Sequence, residues 1–86
     1  MYRIQTANRR VEKEIARLEK PARERVVRAI KSLEQQPRPA NARQLAGNLK
    51  GVWRIRVGSY RVLYDIDDQQ KTIVLLAVLH RREAYR

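Results

Sequence analysis

The sequence predicts a small α+β fold with the order β-α-α-β-β-β, a mainly antiparallel sheet with a helical hairpin packed on one face. Three observations predict it. Residues 52–57 and 60–66 alternate apolar and polar types around Gly58-Ser59, the period-two pattern of half-buried strands joined by a tight turn. Two earlier segments repeat their apolar residues at helical spacing on either side of Lys20-Pro21. Residues 72–79 then form a nearly unbroken apolar run rich in β-branched residues, as expected of a central strand buried on both faces.

In chain order, residues 2–5 form a short strand with Tyr2 and Ile4 on one side. Its position in the sheet is left open. Thr6 is the expected N-cap of a helix running to about Leu18, with Ala7, Val11, Ile15 and Leu18 as its apolar stripe. Pro21 suits the first turn of a second helix, which buries Ala22, Val26, Ala29, Ile30 and Leu33 and ends near Gln36, before Pro37. Residues 37–51 read as an irregular loop pinned by Leu45 and Leu49, whose Arg38, Arg43 and Lys50 are solvated or follow a nucleic-acid backbone. Residues 67–70 are a polar turn. The helices cover one face of the sheet, so the other side of the last strand, at Val74, Leu76 or Val78, needs a further shield.

The hairpin carries the functional signal. Glycine at the first turn position suits a type II′ turn, which sets Val57 opposite Tyr60, Arg56 opposite Arg61, Ile55 opposite Val62 and Trp53 opposite Tyr64. Arg54, Arg56 and Arg61 then share one face. Like charges directly opposite across a strand pair are destabilising. Either the long side chains splay into water, or an anion binds there, and arginine is suited to gripping phosphate.

Composition points the same way. The 86 residues suffice for one domain spanning 1–86, and a 43% hydrophobic content argues against wholesale disorder. Twenty Lys and Arg against nine Asp and Glu give a net charge of +11. The pI is near 11.1. Such a chain attracts polyanions, with RNA or DNA the first candidate. The absence of cysteine excludes disulfides and thiolate metal sites and fits a reducing compartment. No signal-peptide core or spanning apolar run is evident, so a cytoplasmic protein without a membrane partner is expected.

Leu49-Lys50-Gly51, Trp53-Arg54-Ile55-Arg56-Val57-Gly58, Tyr60-Arg61-Val62, Tyr64 and the ending His80-Arg81 with Tyr85 together resemble the RelE branch of the RelE/ParE toxins. The resemblance extends over essentially the whole chain. It implies the toxin of a type II toxin-antitoxin system, a ribosome-dependent endoribonuclease that cuts mRNA in the A site and so inhibits translation. The implied partners are a cognate antitoxin, the ribosome and mRNA, with no metal and no small-molecule cofactor. By position, Arg61 matches an arginine on the scissile phosphate, Arg81 one that stabilises the transition state, and Tyr85 a tyrosine that orients the cleaved nucleotide. Lys50 and Arg82 join Arg54, Arg56 and Arg61 as implied RNA contacts. Arg54 and Arg56 stand where RelE-type enzymes have two lysines. Arginine stays protonated, so either positioning and charge stabilisation supply most of the rate, or the proton passes to another group, with His80 and Tyr85 the candidates. A ParE-like toxin, which inhibits DNA gyrase without chemistry of its own, is the alternative on the same fold. A non-catalytic nucleic-acid-binding module is a third.

Overall fold

The computed structural model describes residues 1–45 and 51–81. Its elements are β1 (Arg3–Thr6), α1 (Arg9–Ala16), α2 (Lys20–Ser32), β2 (Arg43–Gln44), β3 (Trp53–Val57), β4 (Tyr60–Asp67) and β5 (Thr72–His80). The five strands form one sheet in the order β1-β5-β4-β3-β2. β1 lies parallel to β5 at one edge, and every other pairing is antiparallel. The predicted α+β class and the antiparallel β3-β4-β5 meander hold. The hairpin register is the predicted one at all four named positions. Gly58 has φ +60 while Ser59 is not among the positive-φ residues, as a type II′ turn requires.

Both helices pack on one face of the sheet. Val11, Val26, Ile30 and Leu33 from the helical layer meet Ile55, Val62, Tyr64, Ile73, Leu75 and Val78 from the sheet, all buried. Each such aliphatic side chain contributes about 1.5–3 kcal/mol by leaving water. Among the described residues no helix is long and apolar enough to cross a membrane.

Three local expectations are corrected. Asn8, not Thr6, caps α1: its side chain accepts the Val11 N–H at 3.3 Å. Thr6 is still in the sheet opposite Leu75, and Ala7 N–H bonds the Leu75 carbonyl at 2.8 Å, so the helix starts later. α2 ends at Ser32 and not near Gln36. There the chain tightens into turns, and the Glu34 carbonyl accepts the Tyr2 N–H at 2.8 Å, which ties it to the amino terminus. The loop of residues 37–51 contains the two-residue strand β2, too short to show a period. Leu45 is half-buried beside it, with its N–H on the Val52 carbonyl at 2.8 Å. Leu49 lies outside the described residues.

β5 carries a bulge. Tyr64 lies opposite Leu75 and Leu63 opposite Ala77, which leaves Leu76 unopposed. The extra residue shifts the phase of the strand. Ile73 and Leu75 face the helices before it, and Val78 and His80 do so after it, because they lie opposite Val62 and Tyr60. Val78 therefore belongs to the helix-side core at 5% exposure, not to the face that needs a further shield. Val74 and Leu76 remain half-buried. Beyond the end of β1, Val78 N–H has no strand to bond, and a Glu14 carboxylate oxygen from α1 accepts it at 3.0 Å.

Arg38, expected to be a solvated loop charge or one that follows a nucleic-acid backbone, is a structural bracket. It donates to both Asp68 carboxylate oxygens, at 3.3 and 2.8 Å, and its guanidinium carbon sits 5.4 Å from the Trp53 ring centre. Arg38 and then the Tyr2 hydroxyl hold the Asp68 carboxyl below the usual carboxylate range. Next to this bracket, the fully buried Tyr64 donates its hydroxyl to the Pro37 carbonyl at 2.7 Å.

Burial pushes the Tyr64 phenol up to about 12, against about 10 in an unfolded chain. The unfolded state ionises first. The contribution is therefore complete below the unfolded value and is lost as pH climbs through the folded one. We expect about 2–3 kcal/mol to disappear across that alkaline window. Tyr64→Phe should lose about 1 kcal/mol at neutral pH with the hydrogen bond and should lack the alkaline step. Urea unfolding of both proteins at matched pH checks this, since lysine titration is common to the two.

Candidate functional site

The helix-free face of the sheet is built by cross-strand pairing. One row runs Arg43, Arg54, Leu63, Ala77 across β2, β3, β4 and β5. The next runs Arg56, Arg61, Leu79 across β3, β4 and β5. Two pairs of arginines are thus directly opposed, each worth a few tenths to about 1 kcal/mol against folding. Among the described residues, Arg43, Arg54 and Arg56 form no ion pair.

The arginines differ in setting. Arg56 is exposed. Arg61 is only 6% exposed, set between Arg56 and the half-buried Leu79. Arg54 is half-buried, and its Nε is buried with no hydrogen-bond partner among the described residues. Arg43 turns its guanidinium back on the Ala40 and Ala42 carbonyls, at 3.2 and 3.0 Å. Sequence reading took Arg43 as loop charge, and only its short strand seats it beside Arg54.

Arg81 follows β5 directly. Its N–H donates to the Ser59 carbonyl at 2.6 Å, which fixes the end of β5 against the β3-β4 turn. Its side chain is exposed there. Tyr85, Arg82 and Lys50 lie outside the described residues. His80 departs from expectation. It lies opposite Tyr60 on the helix face, and its ring meets Tyr60 edge to face with centres 5.2 Å apart. The bulge at Leu76 carries it to that side, away from the arginines.

The arrangement is a shallow cationic floor on a rigid sheet, with Arg54 and Arg61 partly withdrawn from water. A guanidinium cannot act as a base near neutral pH. Such a floor can orient a phosphate and stabilise charge that builds on it.

The chain is similar to known toxins in both sequence and fold. The ParE toxin family of type II toxin-antitoxin systems matches residues 5–85. Toxin RelG of Mycobacterium tuberculosis is 48% identical over 42 residues, a match spanning about half of either chain (49% of this one and 48% of RelG). The crystal structure of the toxin-antitoxin complex RelBE2 from Mycobacterium tuberculosis holds a chain 30% identical, with a TM-score of 0.81 over 93% of this chain and 98% of that one. A chain of the archaeal RelE-RelB complex from Pyrococcus horikoshii is 29% identical, with a TM-score of 0.80 over 93% and 94%. The isolated Escherichia coli RelE toxin, at 22% identity, shares the fold with a TM-score of 0.79 over 99% and 92%. With a family match along nearly its whole length, this chain belongs to the ParE toxin family of type II toxin-antitoxin systems, within the RelE/ParE superfamily.

Proposed function

We propose that this toxin is a ribosome-dependent endoribonuclease that cuts mRNA in the A site, with the scissile phosphate seated on the arginine floor. The observation that carries the reading is the buried Arg54 Nε, without a partner among the described residues, beside opposed arginines. A buried donor without an acceptor costs about 1–3 kcal/mol. A phosphate oxygen supplies that acceptor and relieves the repulsion between Arg56 and Arg61.

In the proposed reaction the ribose 2′-oxygen attacks the adjacent phosphorus and the bond from phosphorus to O5′ breaks. The products are a 2′,3′-cyclic phosphate and a free 5′-hydroxyl. The 2′-hydroxyl proton passes to a base, and O5′ takes up a proton as it leaves. Arg54, Arg56, Arg61 and Arg81 stabilise the negative charge of the pentacoordinate phosphorus. Lys50 and Arg82 hold the flanking backbone. Tyr85 stacks on the nucleotide and takes the proton. We leave His80 out of the acid-base pair, because its ring packs on Tyr60 across the sheet. A cognate antitoxin, as in the RelB complexes above, holds the toxin inactive.

Growth arrest on expression, followed by mapping of mRNA 5′ ends on programmed ribosomes, tests the reading. Cuts within the A-site codon are expected. Intact message at stoichiometric toxin, together with inhibited supercoiling by DNA gyrase, would transfer the protein to the ParE-like alternative that the family name favours.

A further inference from the structure

The helix face carries a second cationic feature that the proposed chemistry does not use. Arg10, Lys13, Glu14 and Arg17 fall at i, i+3, i+4 and i+7, so they form one stripe along α1 and its C-cap. That stripe is one wall of a groove of about 540 Å³, and Tyr60 and His80 line the other. The volume lies within the range of about 300–1,000 Å³ typical of small-ligand sites.

The single carboxylate in the groove is already committed. One Glu14 oxygen accepts the Val78 N–H at 3.0 Å, and the other lies 4.0 Å from Arg10 Nε. Three exposed cations therefore face one engaged anion. Opposite them stands an edge-to-face pair of half-buried aromatic rings. Cations along one wall and aromatic rings along the other match the two halves of a nucleotide, phosphate and base. An acidic peptide would use the cations and leave the rings unaddressed.

The groove also lies along a path from the arginine floor. Tyr60 and Arg61 are consecutive on β4 and point to opposite faces. Arg81 and Ser59 close the sheet end between those faces with a 2.6 Å backbone bond. A strand crossing this end of the sheet leads from the floor to the groove, because Tyr60 and His80 pair one position beyond Arg61 and Leu79.

We infer that this groove between α1 and the Tyr60–His80 pair is a second RNA site, which takes one unstacked nucleotide flanking the segment on the arginine floor. The inference shares the RNA of the proposed function and needs none of its chemistry.

The test uses the full chain and an uncleavable 2′-O-methyl RNA hexanucleotide, with binding followed by fluorescence anisotropy across a salt series. His80→Ala should weaken binding about tenfold, the scale of one lost stacking contact. The double variant Arg10→Gln/Arg17→Gln should lower the slope of log affinity against log salt by about 0.7, one phosphate contact on a single strand. The amides of Tyr60, Val78 and His80 should shift in NMR spectra on RNA addition. All the substituted arginines are exposed, and an unchanged urea midpoint verifies folding. Unaltered affinity and slope in both variants would overturn the inference. So would equal binding of a poly-glutamate peptide that displaces the RNA, which would make the groove a protein-docking surface. Because the probe cannot be cut, loss of the cleavage reading leaves this result standing on its own.

Discussion

Arg61→Ala is expected to lower the single-turnover rate of mRNA cleavage on programmed ribosomes about 10²–10³-fold, the usual effect of deleting one preorganised donor on a developing charge. Arg61 is the arginine of the floor that the fold holds most firmly. It occupies the middle of the row Arg56, Arg61, Leu79 and is 6% exposed, so its guanidinium is not reorganised by solvent as the reaction proceeds. In the proposed reaction, its withdrawal from water strengthens its field on the phosphate. Arg61→Lys keeps the charge and loses the planar fork, and its rate should fall between those of the other two proteins. Truncation also removes packing, so circular dichroism and a urea midpoint must accompany the kinetics. A folded Arg61→Ala protein that cuts at the full rate would remove the floor from the reaction.

The floor itself was legible in the sequence because two strong local signals agree there. Gly58 supplies the positive φ that a two-residue turn needs, and the alternation on both sides admits one register. A one-residue slip of either strand would turn its arginines, Arg54 and Arg56 or Arg61, into the core. The helices were legible for the same kind of reason, a clear stripe at 3.6 spacing, although their ends were not. Asn8 and Thr6 are both good caps, and the choice between them rests on how far β1 follows β5. Arg43 was hidden because a two-residue strand has no period. Arg38 looked like one more loop cation because its partners, Asp68 and Trp53, are distant in sequence. The face that His80 takes was hidden for a different reason: in a uniformly apolar run nothing in the residue types marks the position of a bulge.

That hidden phase shift yields a test with a large and asymmetric outcome. Strict alternation from Ile73 and Leu75 would point residue 79 at the helices and residue 78 at the arginines. The bulge at Leu76 reverses both: Val78 packs in the core at 5% exposure, and Leu79 lies opposite Arg61. Val78→Asp should therefore cost about 4 kcal/mol or more, since an unpaired buried carboxylate is penalised by several kcal/mol. Glu14, bonded to the residue 78 N–H, adds like-charge repulsion. Against a total stability of about 5–15 kcal/mol, that substitution leaves little folded protein. Leu79→Asp should change stability by no more than about 1 kcal/mol. It gives up a half-buried side chain and sets a carboxylate beside Arg61 on a face rich in cations. Urea unfolding of the two variants decides the matter, and the opposite ranking would show that β5 runs without its bulge and presents His80 to the arginine floor after all.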